Sequence, residues 1–186
     1  MMVLDVSNSM LATDVAPSRI ENAKMMLSKL IDQMPDNKVG LIVFSGDAVV
    51  QLPMTADNVS AKMFLSTINT KSVANPGTAV GTALDLAIKS FGEENKEIGR
   101  SIILLTDGEN HEADAVEQAR KAAALGIKIY TIGIGTPEGA PIEIDGEFIK
   151  DENGEMVVSK LGEQMLEEIA AVTDAAYVRA TKQSIG

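Results

Sequence analysis

The chain has 186 residues, of which 45% are hydrophobic and 23% charged, with a net charge of −11. That composition belongs to one globular domain able to bury a core without staples. The acidity, with no Trp, two Tyr and four Phe, argues against a phosphate-binding or base-stacking nucleic-acid surface. The absence of cysteine excludes disulfide scaffolds, zinc–thiolate centres and thiol nucleophiles.

Met1 to Leu4 reads as a buried strand that runs into Asp5-Val6-Ser7-Asn8-Ser9. Residues 10–17 form a loop ending at Pro17. Ser18 and Glu21 make a capping-box pattern, after which Ile20, Ala23, Leu27, Leu30, Ile31 and Met34 recur at helical spacing. Pro35 to Asn37 stops that helix. Val39 to Phe44 is a second buried strand. Beyond Ser45-Gly46-Asp47, Ala48 to Leu52 reads as a hairpin partner ended by Pro53, which suits an edge strand. Residues 58–68 form a helix capped by Asp57. A loop from Lys71 to Thr78, centred on Asn75-Pro76-Gly77, leads into a helix from Ala79 to Phe91. Glu93 to Gly99 is a polar connection.

Ser101 to Thr106 is a strongly apolar strand ending at Asp107-Gly108. Asp114 caps a helix through Leu125, with Gly126 as its stop, and Ile127 to Ile134 is another strand. Residues 141–158 change style. Asp145-Gly146 and Asn153-Gly154 are hairpin signals, so a small β-meander insert is expected there. Gly162 to Thr173 is a helix and Ala175 to Ala180 the last strand. No apolar run reaches membrane-spanning length, and no signal peptide is visible. Because the first residue already lies in a strand, the chain is expected to be a single domain, 1–186, excised from a longer protein.

Strands with continuous apolar runs, alternating with helices, indicate a mostly parallel six-stranded sheet covered on both faces. The favoured topology is doubly wound, in the order 3-2-1-4-5-6, with the 48–52 strand as an antiparallel edge. The first strand and the 101–106 strand are then neighbours at the switch point, where ligands bind outside the carboxyl ends of strands. Asp5 ends one and Asp107 ends the other, so two carboxylates face one crevice.

Close carboxylates repel unless something neutralises them or one holds a proton. Neither motif contains a Lys, Arg or His to act as counter-ion. The neighbouring groups are the hydroxyls of Ser7 and Ser9 and a threonine from the Gly77-Thr78 loop. A divalent cation fills the gap: magnesium, with manganese or calcium as substitutes, takes an all-oxygen shell and keeps several waters. Asp5, Ser7, Ser9, Thr78 and Asp107 do not close that shell by direct bonds alone, which leaves a position for a carboxylate from outside.

Asp5-x-Ser7-x-Ser9, the mid-chain Gly77-Thr78 and Thr106-Asp107-Gly108 together resemble the metal-ion-dependent adhesion site of von Willebrand factor type A domains. The likeness runs from residue 1 to about 180. Asn75 to Gly81, Leu105 to Asn110, Tyr130 to Thr136 and the Gly-rich insert resemble the bacterial Bat (aerotolerance operon) branch, BatB-like members above all. The resemblance implies a Rossmann-like fold and a non-enzymatic module. In it, Ser7 and Ser9 ligate the metal directly, Asp5 and Asp107 act largely through water, and Thr78 does either. It also implies that a partner's Glu or Asp completes the shell. Membrane helices would flank the domain on both sides, the domain would lie in the periplasm, and the setting would be a membrane complex with other Bat proteins and a MoxR-type ATPase.

Other readings stand beside these. Ser7 and Ser9 also suit helix or turn caps. Thr82 rivals Thr78 but belongs to a helix, where packing or back-bonding is expected. Glu109, Glu112 and Asp114 suit the start of a helix. His111 reads as a solvated loop residue, and the ten methionines as packing. Gly133-Ile134-Gly135 follows a late strand, the wrong place for a dinucleotide fingerprint. The alternative function is a metal-assisted phosphohydrolase with Asp5 as nucleophile; Ser7 stands where such an enzyme wants a second Asp. A purely structural domain is the third reading.

Overall fold

The computed structural model describes residues 1–92, 99–109 and 113–180. Strand β1 (Met2–Asp5) leads through a 3-10 turn (Asn8–Leu11) to helix α1 (Arg19–Asp32), then to the hairpin of β2 (Val39–Phe44) and β3 (Ala48–Thr55). Helices α2 (Asn58–Thr67) and α3 (Val80–Ser90) precede β4 (Arg100–Thr106), α4 (Ala113–Ala124) and β5 (Ile127–Ile134). Four two-residue strands follow: β6 (Ala140–Pro141), β7 (Glu143–Ile144), β8 (Glu147–Phe148) and β9 (Val158–Ser159). Helix α5 (Glu163–Val172) and β10 (Tyr177–Ala180) end the fold.

The main sheet runs β3-β2-β1-β4-β5-β10. All its pairings are parallel except β2 with β3. This is the expected doubly wound order, and β1 and β4 are neighbours at its centre. Successive strand residues point to opposite faces, so the core has two halves. Val3, Phe44, Leu104 and Ile129 pack with Leu84 of α3, Ala119 of α4 and Leu166 of α5. Leu4, Val43, Leu105 and Ile134 pack with Leu27 of α1 and Leu65 of α2.

Caps set the helix starts on the second of these layers. Ser18 accepts from the Glu21 amide at 3.3 Å, and Asp57 accepts from the Ser60 amide at 3.0 Å. Asp114 is not a cap but the second residue of α4, in the first turn, where the helix dipole favours an acid. Pro53 does not end β3; the strand continues to Thr55 with its pairing shifted between Leu41 and Val39. An edge strand tolerates the missing amide because one of its sides has no partner. The polar connection expected over 93–99 falls almost wholly outside the described residues. Packing accounts for Met2, Met10 and Met165, but Met63 is 61% exposed and Met156 55% exposed.

The insert is three short paired arms rather than a simple meander. β6 pairs with β9, β7 pairs with β8, and Lys150 bridges Met156. Asp145 and Gly146, both at positive φ, make the two-residue turn between β7 and β8, as Asp-Gly favours. Asn153-Gly154 lies in a wider loop, where the Asp151 carboxylate accepts from the amides of Asn153 at 2.8 Å and Glu155 at 3.0 Å.

Candidate metal centre

Asp5 is the last residue of β1 and has no exposed surface. Leu4 pairs with Leu105, so Thr106 stands beside Asp5 across the ladder. The Thr106 hydroxyl donates to Asp5 Oδ2 at 2.5 Å, and the Ser7 amide donates to Asp5 Oδ1 at 2.8 Å. Burial, and then the charge of Asp107, push the Asp5 carboxyl up to about 7 against the pull of those hydrogen bonds.

The 3-10 turn after β1 returns Ser9 towards Ser7. Ser7 sits at the cap position but makes no side-chain cap bond, so the capping reading does not account for it. Its Oγ lies 2.9 Å from Ser9 Oγ, and both serines are nearly buried, at 6% and 8% exposure.

Thr78 arrives by loop-to-loop contact. The Gly46 amide donates to the Asn75 carbonyl at 2.9 Å, the Ala79 amide to the Ser45 carbonyl at 2.6 Å, and Ser45 Oγ to the Gly77 carbonyl at 3.0 Å. A Cβ on Gly46 would lie 2.3 Å from the Pro76 carbonyl oxygen, so only glycine allows this approach. Ser7, Ser9, Thr78 and Glu109 line one cleft of about 310 Å³, with Val73 and Pro76 as an apolar wall. Thr82 is exposed on α3 and does not pack. His111 and Glu112 lie outside the described residues.

Asp107 follows β4 and is wholly buried. Its Oδ1 accepts from the Glu109 amide at 3.2 Å, and its Oδ2 accepts from Arg19 Nη1 at 3.0 Å. Here the structure corrects the sequence reading: a counter-ion does reach the motifs. Arg19, the first residue of α1, has no exposed surface. Its Nε and Nη2 grip Asp14 at 2.8 and 2.7 Å, and it also donates to Ser159 Oγ at 2.7 Å and to the Ser159 carbonyl at 2.9 Å. Ser159 Oγ in turn donates to Glu109 Oε2 at 2.8 Å. Partial burial, reinforced by Asp107, pushes the Glu109 carboxyl up despite that bond. A charge four residues before Ala23, on the apolar stripe of α1, is the one sequence signal that marks Arg19 as buried.

Gly135, at φ +137, lies against this guanidinium; a Cβ there would lie 3.0 Å from Arg19 Cζ. The Gly133-Ile134-Gly135 segment therefore serves packing. Among the described residues, no group of three or more His, Cys, Asp or Glu is placed to hold a metal. The oxygen donors gathered here are hydroxyls and the buried carboxylates of Asp5 and Asp107, with Glu109 at the cleft wall.

A family model described as von Willebrand factor type A domain matches residues 1–109. The chain belongs to the von Willebrand factor type A family. Two solved structures resemble it over nearly its whole length, each with a TM-score of 0.93. One is an aerotolerance-related membrane protein from Bacteroides fragilis, 48% identical, with 98% of this chain and 90% of that chain covered. The other is BatB from Bacteroides thetaiotaomicron, 47% identical, with 99% and 91% covered. Within the type A family, the chain groups with these Bat proteins. A UPF0353 protein of Mycolicibacterium paratuberculosis is 30% identical over 94% of this chain. The chain spans about half the length of that relative, 52%. The type A fold is shared at 19% identity and a TM-score of 0.70 with mussel byssus proximal thread matrix protein 1, solved with zinc in its metal-ion-dependent adhesion site; 98% of this chain and 42% of that one are covered. No helix among the described residues of this type A domain is long and apolar enough to cross a membrane.

Proposed function

We propose that this type A domain is a metal-dependent protein-interaction module. Ser7, Ser9 and Thr78 would hold a divalent cation, with Asp5 and Asp107 behind them, and an acidic side chain of a partner would complete the shell. The observation that carries this reading is the 2.9 Å separation of the two serine oxygens in the lining of the cleft. Adjacent corners of an octahedron lie about 3.0 Å apart when metal–oxygen bonds are about 2.1 Å. The donor set is all oxygen, as magnesium, manganese or calcium prefers. When bound, the cation supplies a Lewis-acidic position for a carboxylate. The chain's own residues do the rest: the serines and threonine offer neutral donors, Asp5 supplies charge, and the cleft admits the incoming side chain.

The names of the Bacteroides relatives support a membrane-associated Bat setting; within it we propose that the domain is one part of a longer anchored chain and faces the periplasm. Other Bat proteins and a MoxR-type ATPase are the proposed company. The phosphohydrolase reading is disfavoured, because Asp5 has no exposed surface and does not line the cleft in which a phosphate would have to bind.

Magnesium titration followed by calorimetry and thermal unfolding tests the proposal. Binding to the folded state alone stabilises by about 2.7 kcal/mol at a hundredfold excess over Kd. Wild type should show this gain and Asp5→Ala should lose it. Equal behaviour of the two proteins, or no binding at millimolar magnesium, would overturn the proposal.

A further inference from the structure

The guanidinium of Arg19 contacts two of the metal-site loops and the insert at once. Nη1 donates to Asp107 Oδ2 at 3.0 Å and to Ser159 Oγ at 2.7 Å, with the Ser9 carbonyl at 3.5 Å; Nη2 donates to the Ser159 carbonyl and Asp14, and Nε to Asp14. The cradle is built for it: Asp14 is itself fixed by the Thr136 amide at 2.8 Å and the Thr136 hydroxyl at 3.1 Å, and Gly135 leaves the space that a side chain would fill.

An arginine stays charged in any protein setting. A fully buried one beside Asp107 therefore cancels most of the charge that Asp107 would show to a cation. Asp14 in turn cancels part of Arg19. The charge presented at the cleft thus depends on how Arg19 divides itself between Asp14 and Asp107.

Resting on the metal-binding reading above, we infer that Arg19 is a positioning residue that sets cation affinity. It fixes the Asp107 carboxylate and withholds it from the cation, leaving Asp5 and Glu109, at the cleft wall, as the carboxylates it does not pair directly. The site is thereby kept weak and exchangeable, so that a partner's carboxylate adds a large share of the attraction.

Two variants push in opposite directions, and magnesium chloride alone is the probe. Arg19→Met combined with Asp14→Asn removes the cation together with its own partner, and so releases Asp107 without leaving Asp14 unpaired. Magnesium affinity by calorimetry should rise at least about tenfold, as expected for one carboxylate freed near a cation in a partly buried site. Asp14→Asn alone leaves Arg19 with Asp107 as its only carboxylate, and affinity should fall severalfold. Circular dichroism and the unfolding transition establish that each variant is folded. A merely structural Arg19 would lower affinity in both variants, and that result overturns the inference. Should the double variant not fold, an unchanged or raised affinity in Asp14→Asn overturns it by itself. Wild type that binds no magnesium removes the metal reading and this inference together, whereas wild type that binds with variants moving the same way removes this inference alone.

Discussion

The Thr106 hydroxyl lies 2.5 Å from Asp5 Oδ2, a contact between residues 101 apart in sequence. The Thr106 hydroxyl oxygen in turn accepts from the Gly108 amide at 3.1 Å. Thr106 thus ties the ends of β1 and β4 together and shapes the turn that carries Asp107. Thr106→Val keeps the shape and removes both bonds. Leaving a buried acceptor unsatisfied costs about 1–3 kcal/mol. Urea unfolding should show a loss in that range, and a variant as stable as wild type would refute the role given to this hydroxyl.

Asp5 also sets a pH dependence. Its folded-state carboxyl is raised to about 7, above the value of about 4 in an unfolded chain. Between those values the folded state holds the extra proton. The group's contribution is therefore full below about pH 4 and is lost as pH rises through about 7. Unfolding in chelator at about pH 5.5 and about pH 8 should show lower stability at the higher pH. The slope should shrink in Asp5→Asn, and magnesium should restore stability at the higher pH. A slope unaffected by Asp5→Asn would assign it to other groups.

Gly108 and Gly162 touch across the site. A Cβ on Gly162 would lie 2.3 Å from the Gly108 carbonyl oxygen, although Gly162 itself has an ordinary φ of −101. The Gly162 amide also donates to the Asp107 carbonyl at 2.8 Å. Gly162→Ala should therefore push the Asp107 loop, with an overpacking cost of about 1–3 kcal/mol and weaker magnesium binding. Calorimetry and urea unfolding on the same sample check both effects.

Ser159 fastens the insert to the site through Arg19 and Glu109. Ser159→Ala removes the hydroxyl but leaves its carbonyl bond to Arg19 Nη2. Amides of β6 and β9 should exchange faster with deuterium, while those of β1 and β4 stay protected. Unchanged exchange in the insert would show that its own pairings hold it.

Much of this arrangement is legible in the sequence because strand ends are. Apolar runs stop where the sheet stops, so Asp5 and Asp107 announce themselves at the carboxyl ends of adjacent strands. Gly77 marks the turn that delivers Thr78. Arg19 escapes such reading, since its partners Asp107 and Ser159 lie 88 and 140 residues away and no periodicity links them. The insert pairs as three short arms because two-residue strands carry too little alternation to fix a register. Pro53 misleads because a chain-breaking residue and an edge-strand residue look alike until the neighbouring strand is known.

The most direct measurement is anomalous diffraction from crystals grown in millimolar manganese. One peak about 2 Å from the Ser7 and Ser9 hydroxyl oxygens, inside the cleft shared with Thr78, is the expected result. No peak there, or a peak elsewhere on the acidic surface, would contradict the metal-dependent reading of this site.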